Sequence, residues 1–487
     1  MNHLNPMLLC DFYKISHRNM YPNNTEYIYS TWTPRSSRIE GINEVVVFGL
    51  QSFIKRYLIE YFNENFFKRC LGTIVGDYTC VVKNSLGIKS PQTQHIKDLH
   101  NLGYLPLVIK SLPEGSLVPI RTPMTTIQNT DPRFFWLTNF IETLMSAELW
   151  QASTSATIAM EYRKLLDKYA VDTVGNTDFV KYQGHDFSMR GMSSLDSAIS
   201  SGMGHLLSFV GTDTIPAILA SEALYNADIF NELIGTSIPA TEHSIQSCYC
   251  DDMKYLEETI CTTHPHGFVS IVCDGYDYWD VIGRVIPVLK DKILSRNGRV
   301  VIRPDSGDPV LIVCGDPDGK TELEKKGSIE ALWDLFGGTI TKRGFKLLDS
   351  HIGLIYGDSI TIKRCKEICE RLSNQGFAST NCVFGIGSYT YQYNTRDTFG
   401  FALKSTHAQI NGKEKQIFKN PKTDAGTKKS QKGVVAVVRN GKSFEFVDGL
   451  YLNSKYPGDQ LVEVFNNGKL SVEEYWPEIR NRLLSFD

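Results

Sequence analysis

Several polar residues in this chain stand where an apolar run ends, which is where a fold can afford chemistry. Arg303-Pro304-Asp305-Ser306-Gly307 follows Val300-Val301-Ile302, and Gly357-Asp358 follows Ile352-Gly353-Leu354-Ile355-Tyr356. Carboxylates in such positions can accept hydrogen bonds from sugar hydroxyls or share a magnesium shell. The plainer alternative is that each caps a helix, which Asp does well. For Asp305 the functional reading is preferred. Arg303 sits where a charge is costly unless paired, which points to a ligand or a carboxylate. Gly385-Ile386-Gly387-Ser388 follows Cys382-Val383-Phe384 and offers backbone N–H groups that could cradle one phosphate. It lacks a third glycine, and the sequence contains no GxxxxGK[ST], so a dinucleotide or P-loop site is not indicated. His243, in Pro239-Ala240-Thr241-Glu242-His243-Ser244, is a lone histidine and by itself either structural or catalytic.

Other candidates carry less. Cys248-x-Cys250 and Cys261-Thr-Thr-His264-Pro-His266 lack the paired spacing of a zinc site. Residues 401–440 hold nine Lys and Arg against Glu414 and Asp424. Flexible lysines there could form a lid over phosphate or pyrophosphate, or simply a solvated loop. No aromatic stacking pattern accompanies them, so nucleic acid is not expected as a partner.

The elements that must position these residues follow from the apolar pattern. Short runs at 206–210, 269–273, 300–302, 352–356 and 382–384 each end in a polar or glycine turn, and most are followed by a helical pattern. Continuous apolar runs alternating with helices predict buried parallel strands, and in α/β folds the chemistry lies in loops at their carboxyl ends. The expected fold is α/β, with a barrel-like core over 151–395. A second, discontinuous α+β domain on antiparallel sheet is expected from 1–150 and 396–487. There, Tyr27 to Trp32 reads as a strand, and Asn440-Gly441 reads as a hairpin turn between strand-like runs. The 487 residues carry a net charge of −3, no apolar run of transmembrane length, and an N-terminus without a signal-like apolar block. Eleven scattered cysteines fit free thiols in a reducing compartment. A cytoplasmic enzyme with no membrane partner is expected.

Taken in order, the segments resemble the nicotinamide phosphoribosyltransferase family, within the type II phosphoribosyltransferases. The resemblance runs nearly end to end. It is carried by Asp11-Phe-Tyr13-Lys14, Val47-Phe48-Gly49-Leu50-Gln51, Trp136 to Thr143, His185-Asp186-Phe187-Ser-Met-Arg190-Gly191 and Gly211-Thr212-Asp213-Thr214. The later motifs are Glu242-His243-Ser244, Ser270-Ile-Val-Cys-Asp274, Arg303 to Gly307, Gly357-Asp358 and Thr395-Arg396-Asp397.

The resemblance implies condensation of nicotinamide with 5-phosphoribosyl-1-pyrophosphate (PRPP), with Mg²⁺ bound mainly through the phosphates. The nicotinamide ring would lie between Phe187 of one subunit and Tyr13 of the other, so the site requires a homodimer. Asp213 would accept the carboxamide N–H, with Arg303 helping to place the ring. Asp305, Gly357 and Asp358 would hold the ribose. Gly387 and Ser388, with Arg396 and Lys404 from the partner, would hold the 5-phosphate. Arg35, Arg190, Lys419 and Lys428 would surround the pyrophosphate. His243 would take a phosphoryl group from ATP, oriented by Asp274 and Glu242. Asp11 and Ser270 belong to the same substrate-binding set.

Asp213 also sets the expected specificity, because an ionised carboxylate accepts from an amide and repels nicotinate. Ser388 stands where the family has a second glycine, Ala402 where it has a serine, and Ser188-Met189 is a change read as peripheral. Two rivals remain to be discriminated: a nicotinate-specific enzyme of the same fold, and a catalytically inactive relative that only binds.

Overall fold

The computed structural model describes residues 4–423 and 430–485. The chain divides into two compact units. One comprises Met1–Thr157, Ala220–Ala227 and Asn394–Asp487, and the other Ile158–Leu219 and Asp228–Tyr393. The return of Ala220–Ala227 to the first unit has no marker in composition.

In the second unit, six strands form one parallel sheet in the spatial order Gly211–Thr212, Gly184–Asp186, Cys382–Ile386, Ile352–Tyr356, Val300–Arg303 and Val269–Val272. The Ile352–Tyr356 strand is buried throughout and Val269–Val272 likewise, as runs covered on both faces must be. The two edges are linked by one extended segment: Thr236 bridges Gly211, and Ala240 bridges Ser270, both in parallel sense. That segment closes the sheet towards a barrel. The apolar run at 206–210 is not the strand expected of it. The Leu195–Leu206 helix runs into it and strand pairing is confined to Gly211–Thr212, because a short buried apolar run serves a helix end as well as a strand.

In the first unit, seven strands form an antiparallel sheet in the order Lys413–Gln416, Ala402–Ile410, Thr25–Thr33, Thr125–Asn129, Leu107–Ser111, Val462–Asn466 and Lys469–Leu470. Three strands from the N-terminal part lie at its centre, with two from the C-terminal part on each side, so neither part forms the whole sheet alone. Trp32 stacks on Phe401 with centroids 5.5 Å apart, one of the apolar contacts that join them. The Val434–Asn440 and Ser443–Leu450 strands form a separate hairpin whose turn uses Gly441 at φ 62°. Among the described residues, no helix is long and apolar enough to cross a membrane.

Candidate active site

Every strand of the parallel sheet delivers a candidate residue at or just past its carboxyl end. Phe187 follows Gly184–Asp186, Asp213 follows Gly211–Thr212, and Asp274 follows Val269–Val272. Arg303 ends its strand with Asp305 two residues on, Gly357 and Asp358 follow Ile352–Tyr356, and Gly387 and Ser388 follow Cys382–Ile386. A cavity of about 810 Å³ is lined by Phe187, Arg190, Asp213, Glu242, Arg303, Asp305, Gly357, Asp358, Gly387 and Ser388. A second, more apolar cavity of about 690 Å³ shares Phe187, Asp213 and Arg303 with it and includes Ser270, Tyr182, Phe268 and Val301.

The helix-cap alternative for Asp305 and Asp358 is answered by the structure. The Pro309–Cys314 helix is capped by Asp308, whose carboxylate accepts from the Val310 amide at 2.8 Å. The Ile362–Asn374 helix is capped by Thr361. Asp305 and Asp358 are therefore left to the cavity. Close approach fixes two glycines: a Cβ at Gly357 would fall 2.2 Å from Asp305 Oδ1, and one at Gly385 would fall 2.5 Å from the Phe187 ring.

Burial raises the Asp305 carboxyl above its ordinary range, against the attraction of Arg303. Its Oδ1 is buried with no hydrogen bond, as are Arg303 Nε and Ser270 Oγ. Arg303 Nε lies 3.3 Å from Asp305 Oδ2 as an ion pair, and its Nη2 donates to the Thr241 carbonyl at 2.9 Å. Three orphaned polar atoms on the walls of one cavity system are what a polar ligand would satisfy.

Asp274 behaves differently. Burial would raise its carboxyl, but hydrogen bonds from Ser306, the Asp305 amide and His243 outweigh burial and hold it low. His243 Nε2 lies 2.9 Å from Asp274 Oδ1, which leaves Nδ1 directed away from the carboxylate. The His243 side chain is 49% exposed and Asp274 only 3%, a reachable ring on a buried anchor. Glu242 lines the cavity, but its carboxylate accepts from Ser244 Oγ rather than from His243.

Phe187 is set by a buried network. Asp186 accepts from the Ser188 amide at 2.9 Å, from Ser188 Oγ at 2.6 Å and from Thr214 Oγ1 at 2.7 Å. Ser188 is fully buried, so the change read as peripheral is internal to the loop that carries Phe187.

The remaining candidates gather in the first unit. A cavity of about 240 Å³ is lined by Asp11, Tyr13, Glu142, Thr143, Ser146, Ala147, Trp150 and Arg396. Tyr13 is 56% exposed on the Phe12–His17 helix, whose preceding residue, Asp11, accepts from Thr143 Oγ1 at 2.8 Å. Lys404 is drawn down in pKa by burial and by Arg35, Lys14 and Arg396, with Glu142 opposing. Such a crowd of cations around one carboxylate favours an anion. Arg35 donates to the Gly400 carbonyl at 2.9 Å, and the Lys419 amide donates to Ser430 Oγ. Lys428 lies outside the described residues.

Sequence reasoning missed the supporting groups. Glu142, present in a quoted motif, holds the buried Lys14 at 2.5 Å and lies 3.7 Å from Lys404. Ser306 and Ser237 sit beside Asp274 and Asp213, and nothing in their spacing distinguishes them from ordinary turn serines.

Comparison with known proteins shows the family and the fold. The nicotinate phosphoribosyltransferase (NAPRTase) family matches residues 182–469, and the nicotinamide phosphoribosyltransferase N-terminal domain matches residues 5–71. A nicotinamide phosphoribosyltransferase of Acinetobacter baylyi is 49% identical over 99% of this chain and 97% of its own. One from Mycoplasma pneumoniae is 35% identical over 87% of this chain and 93% of its own. The fold is shared with a nicotinate-nucleotide pyrophosphorylase of Pyrococcus furiosus (TM-score 0.61, 16% identity, covering 99% of this chain and 95% of that one). It is shared also with human nicotinic acid phosphoribosyltransferase (TM-score 0.57, 14% identity, covering 98% and 93%).

Proposed function

The chain belongs to the nicotinate phosphoribosyltransferase family and groups there with nicotinamide phosphoribosyltransferases, and from this premise we propose that it makes nicotinamide mononucleotide and pyrophosphate from nicotinamide and PRPP, in salvage of NAD. The observation that carries the choice of base is Asp213. Burial would raise its carboxyl, but donors from His185 and Ser237 and the charge of Arg303 hold it low, so it meets the cavity as a carboxylate. A carboxylate there accepts from the amide of nicotinamide and repels the carboxylate of nicotinate.

The ring nitrogen attacks C1 of the ribose while the C1–pyrophosphate bond breaks, so positive charge develops on the sugar and negative charge on the leaving group. Phe187 offers an aromatic face to the pyridine. Asp305 and Asp358 lie where ribose hydroxyls can donate to them, and the Gly387–Ser388 turn offers N–H groups to the 5-phosphate. Mg²⁺ suits the hard oxygen donors of Asp305 and Asp358 together with phosphate oxygens, and when bound it would neutralise charge on pyrophosphate. Arg190, Arg35, Lys419 and Lys428 would add to that neutralisation. Tyr13, Asp11, Arg396 and Lys404 would act from the partner subunit of a homodimer.

ATP would transfer its γ-phosphoryl to His243, releasing ADP. With Nε2 on Asp274, the acceptor is Nδ1. Hydrolysis of that phosphohistidine would be coupled to synthesis. The expected place of work is the cytoplasm.

The test is product formation from PRPP and Mg²⁺ with either base, with and without ATP. Nicotinamide mononucleotide formed from nicotinamide alone, and faster with ATP, is the expected result. Turnover of nicotinate at equal kcat/KM overturns the base pocket, and no turnover of either favours an inactive, binding relative.

A further inference from the structure

Asp213 does not face the cavity on its own terms. Its Oδ1 accepts two hydrogen bonds, from His185 Nε2 at 2.9 Å and from Ser237 Oγ at 2.7 Å. Among the described residues, no hydrogen bond reaches Oδ2, and the Asp213 side chain is 48% exposed to the cavity. The three residues come from three adjacent chain segments at one end of the barrel. His185 pairs with Gly211 in parallel register, and Gly211 is bridged on its other side by Thr236, whose carbonyl accepts from the Thr212 amide at 2.9 Å.

The imidazole has little freedom. A Cβ at Gly211 would stand 2.8 Å from His185 Nδ1, and the Phe187 ring lies beside the imidazole with centroids 4.8 Å apart. The ring therefore has a bare backbone and the aromatic residue proposed to stack on the base as close neighbours.

We infer that His185, helped by Ser237, is a positioning residue that reserves one oxygen of Asp213 for the substrate and so sets the preference for amide over acid. The inference rests on the reading that Asp213 meets the carboxamide. Two donors on Oδ1 fix the carboxyl plane and leave Oδ2 as the sole acceptor for an incoming N–H. They also favour the ionised form, which is the form that repels a carboxylate. Without the imidazole donor, the carboxyl can rotate about Ser237 or take up a proton. A protonated Asp213 donates a hydrogen bond, and nicotinate then has a partner where it had a repulsion.

The experiment measures kcat/KM for nicotinamide and for nicotinate, and KM for PRPP, in H185L, H185Q, S237A and D213N. Losing one donor to a charged group is expected to lower the amide-to-acid ratio by about 10-fold or more in H185L. The change should sit in the KM for nicotinamide, with the KM for PRPP little affected. H185Q restores an N–H near the place of Nε2 and should return the ratio to within about threefold of the parent. S237A, at an exposed position that should not compromise folding, should lower the ratio in the same direction by a smaller factor. An unchanged ratio in both H185L and S237A, with D213N relaxed, overturns the role of His185 and leaves the base pocket standing. A ratio unchanged in D213N overturns the base pocket itself. Should H185L fail to fold, S237A and H185Q decide: an unaltered ratio in S237A together with a collapsed ratio in folded H185Q overturns the inference.

Discussion

Two carboxylates, a buried one in the first unit and a half-buried one in the second, meet opposite fates. In the first unit, Glu114 accepts from the Gly49 amide at 3.0 Å, the Gln51 amide at 2.6 Å and the Tyr225 hydroxyl at 2.9 Å. Its own amide donates to Glu474, whose other oxygen accepts from Arg482 at 2.6 Å. In the second unit, Asp305 keeps a buried oxygen with no hydrogen bond, next to an arginine whose Nε is also unbonded. A buried charge is costly unless donors surround it. Where backbone and hydroxyl donors offset part of that cost, the carboxyl holds distant parts of the chain together. Where they do not, the fold carries the cost, and a ligand recovers it. The degree of satisfaction, more than burial, separates a group that holds the fold from one left open to a ligand.

Isosteric amides sharpen the contrast most. D305N removes a charge that only the Arg303 ion pair offsets and whose other oxygen has no hydrogen bond, so kcat/KM should fall by about a thousandfold or more while Tm changes by no more than a few degrees. E114Q does the reverse. It turns an N–H group towards N–H and O–H donors, so Tm should drop by about 4–8 °C, for a cost of about 2 kcal/mol, with kcat/KM within about threefold. Thermal melts beside steady-state kinetics check both. If either variant loses activity and stability together, the division fails.

His243 tests the second unit more narrowly. H243A should abolish the increase in rate caused by ATP, leaving the ATP-independent rate, with Tm within about 2 °C because the ring is half exposed and its loss opens no cavity. ATP stimulation that survives in H243A removes this histidine from the coupling.

The fold was legible where burial is two-sided. Val269, Val300, Ile352 and Cys382 each open an apolar run that is a buried strand of the parallel sheet. It was illegible at 206–210, where an equally apolar run ends a helix. The order of Asp, Arg and Gly at strand ends placed the cavity-lining residues, since those side chains are themselves the signal. The groups that tune them were not legible. His185, Ser237 and Ser306 act through contacts between segments far apart in sequence, and a serine that orients a carboxylate has the same local spelling as one in a turn. The Phe48-Gly49-Leu50-Gln51 motif was recognised, yet its work is structural: Gln51 pairs both ways with the backbone of Glu474, at 2.9 and 2.7 Å.

The smallest effect concerns the satisfied carboxylate. Burial pushes the Glu114 carboxyl up to about 7, and the Glu474 carboxylate pushes the same way against the donors from Gln51, Gly49 and Tyr225. The folded chain therefore binds a proton that the unfolded chain, with an ordinary glutamate near 4.3, has already released. Stability from this group is fully present below about pH 4.3 and is lost as pH rises through about 7, by at most about 3.7 kcal/mol. Other groups add their own slopes, so the informative quantity is the difference between parent and E114Q, whose side chain cannot titrate. The Tm gap should be widest at about pH 5 and should narrow towards pH 8.5. A gap that stays constant across that range would mean that Glu114 is ionised throughout, held by its three donors, and that its satisfaction is complete at every pH the enzyme meets.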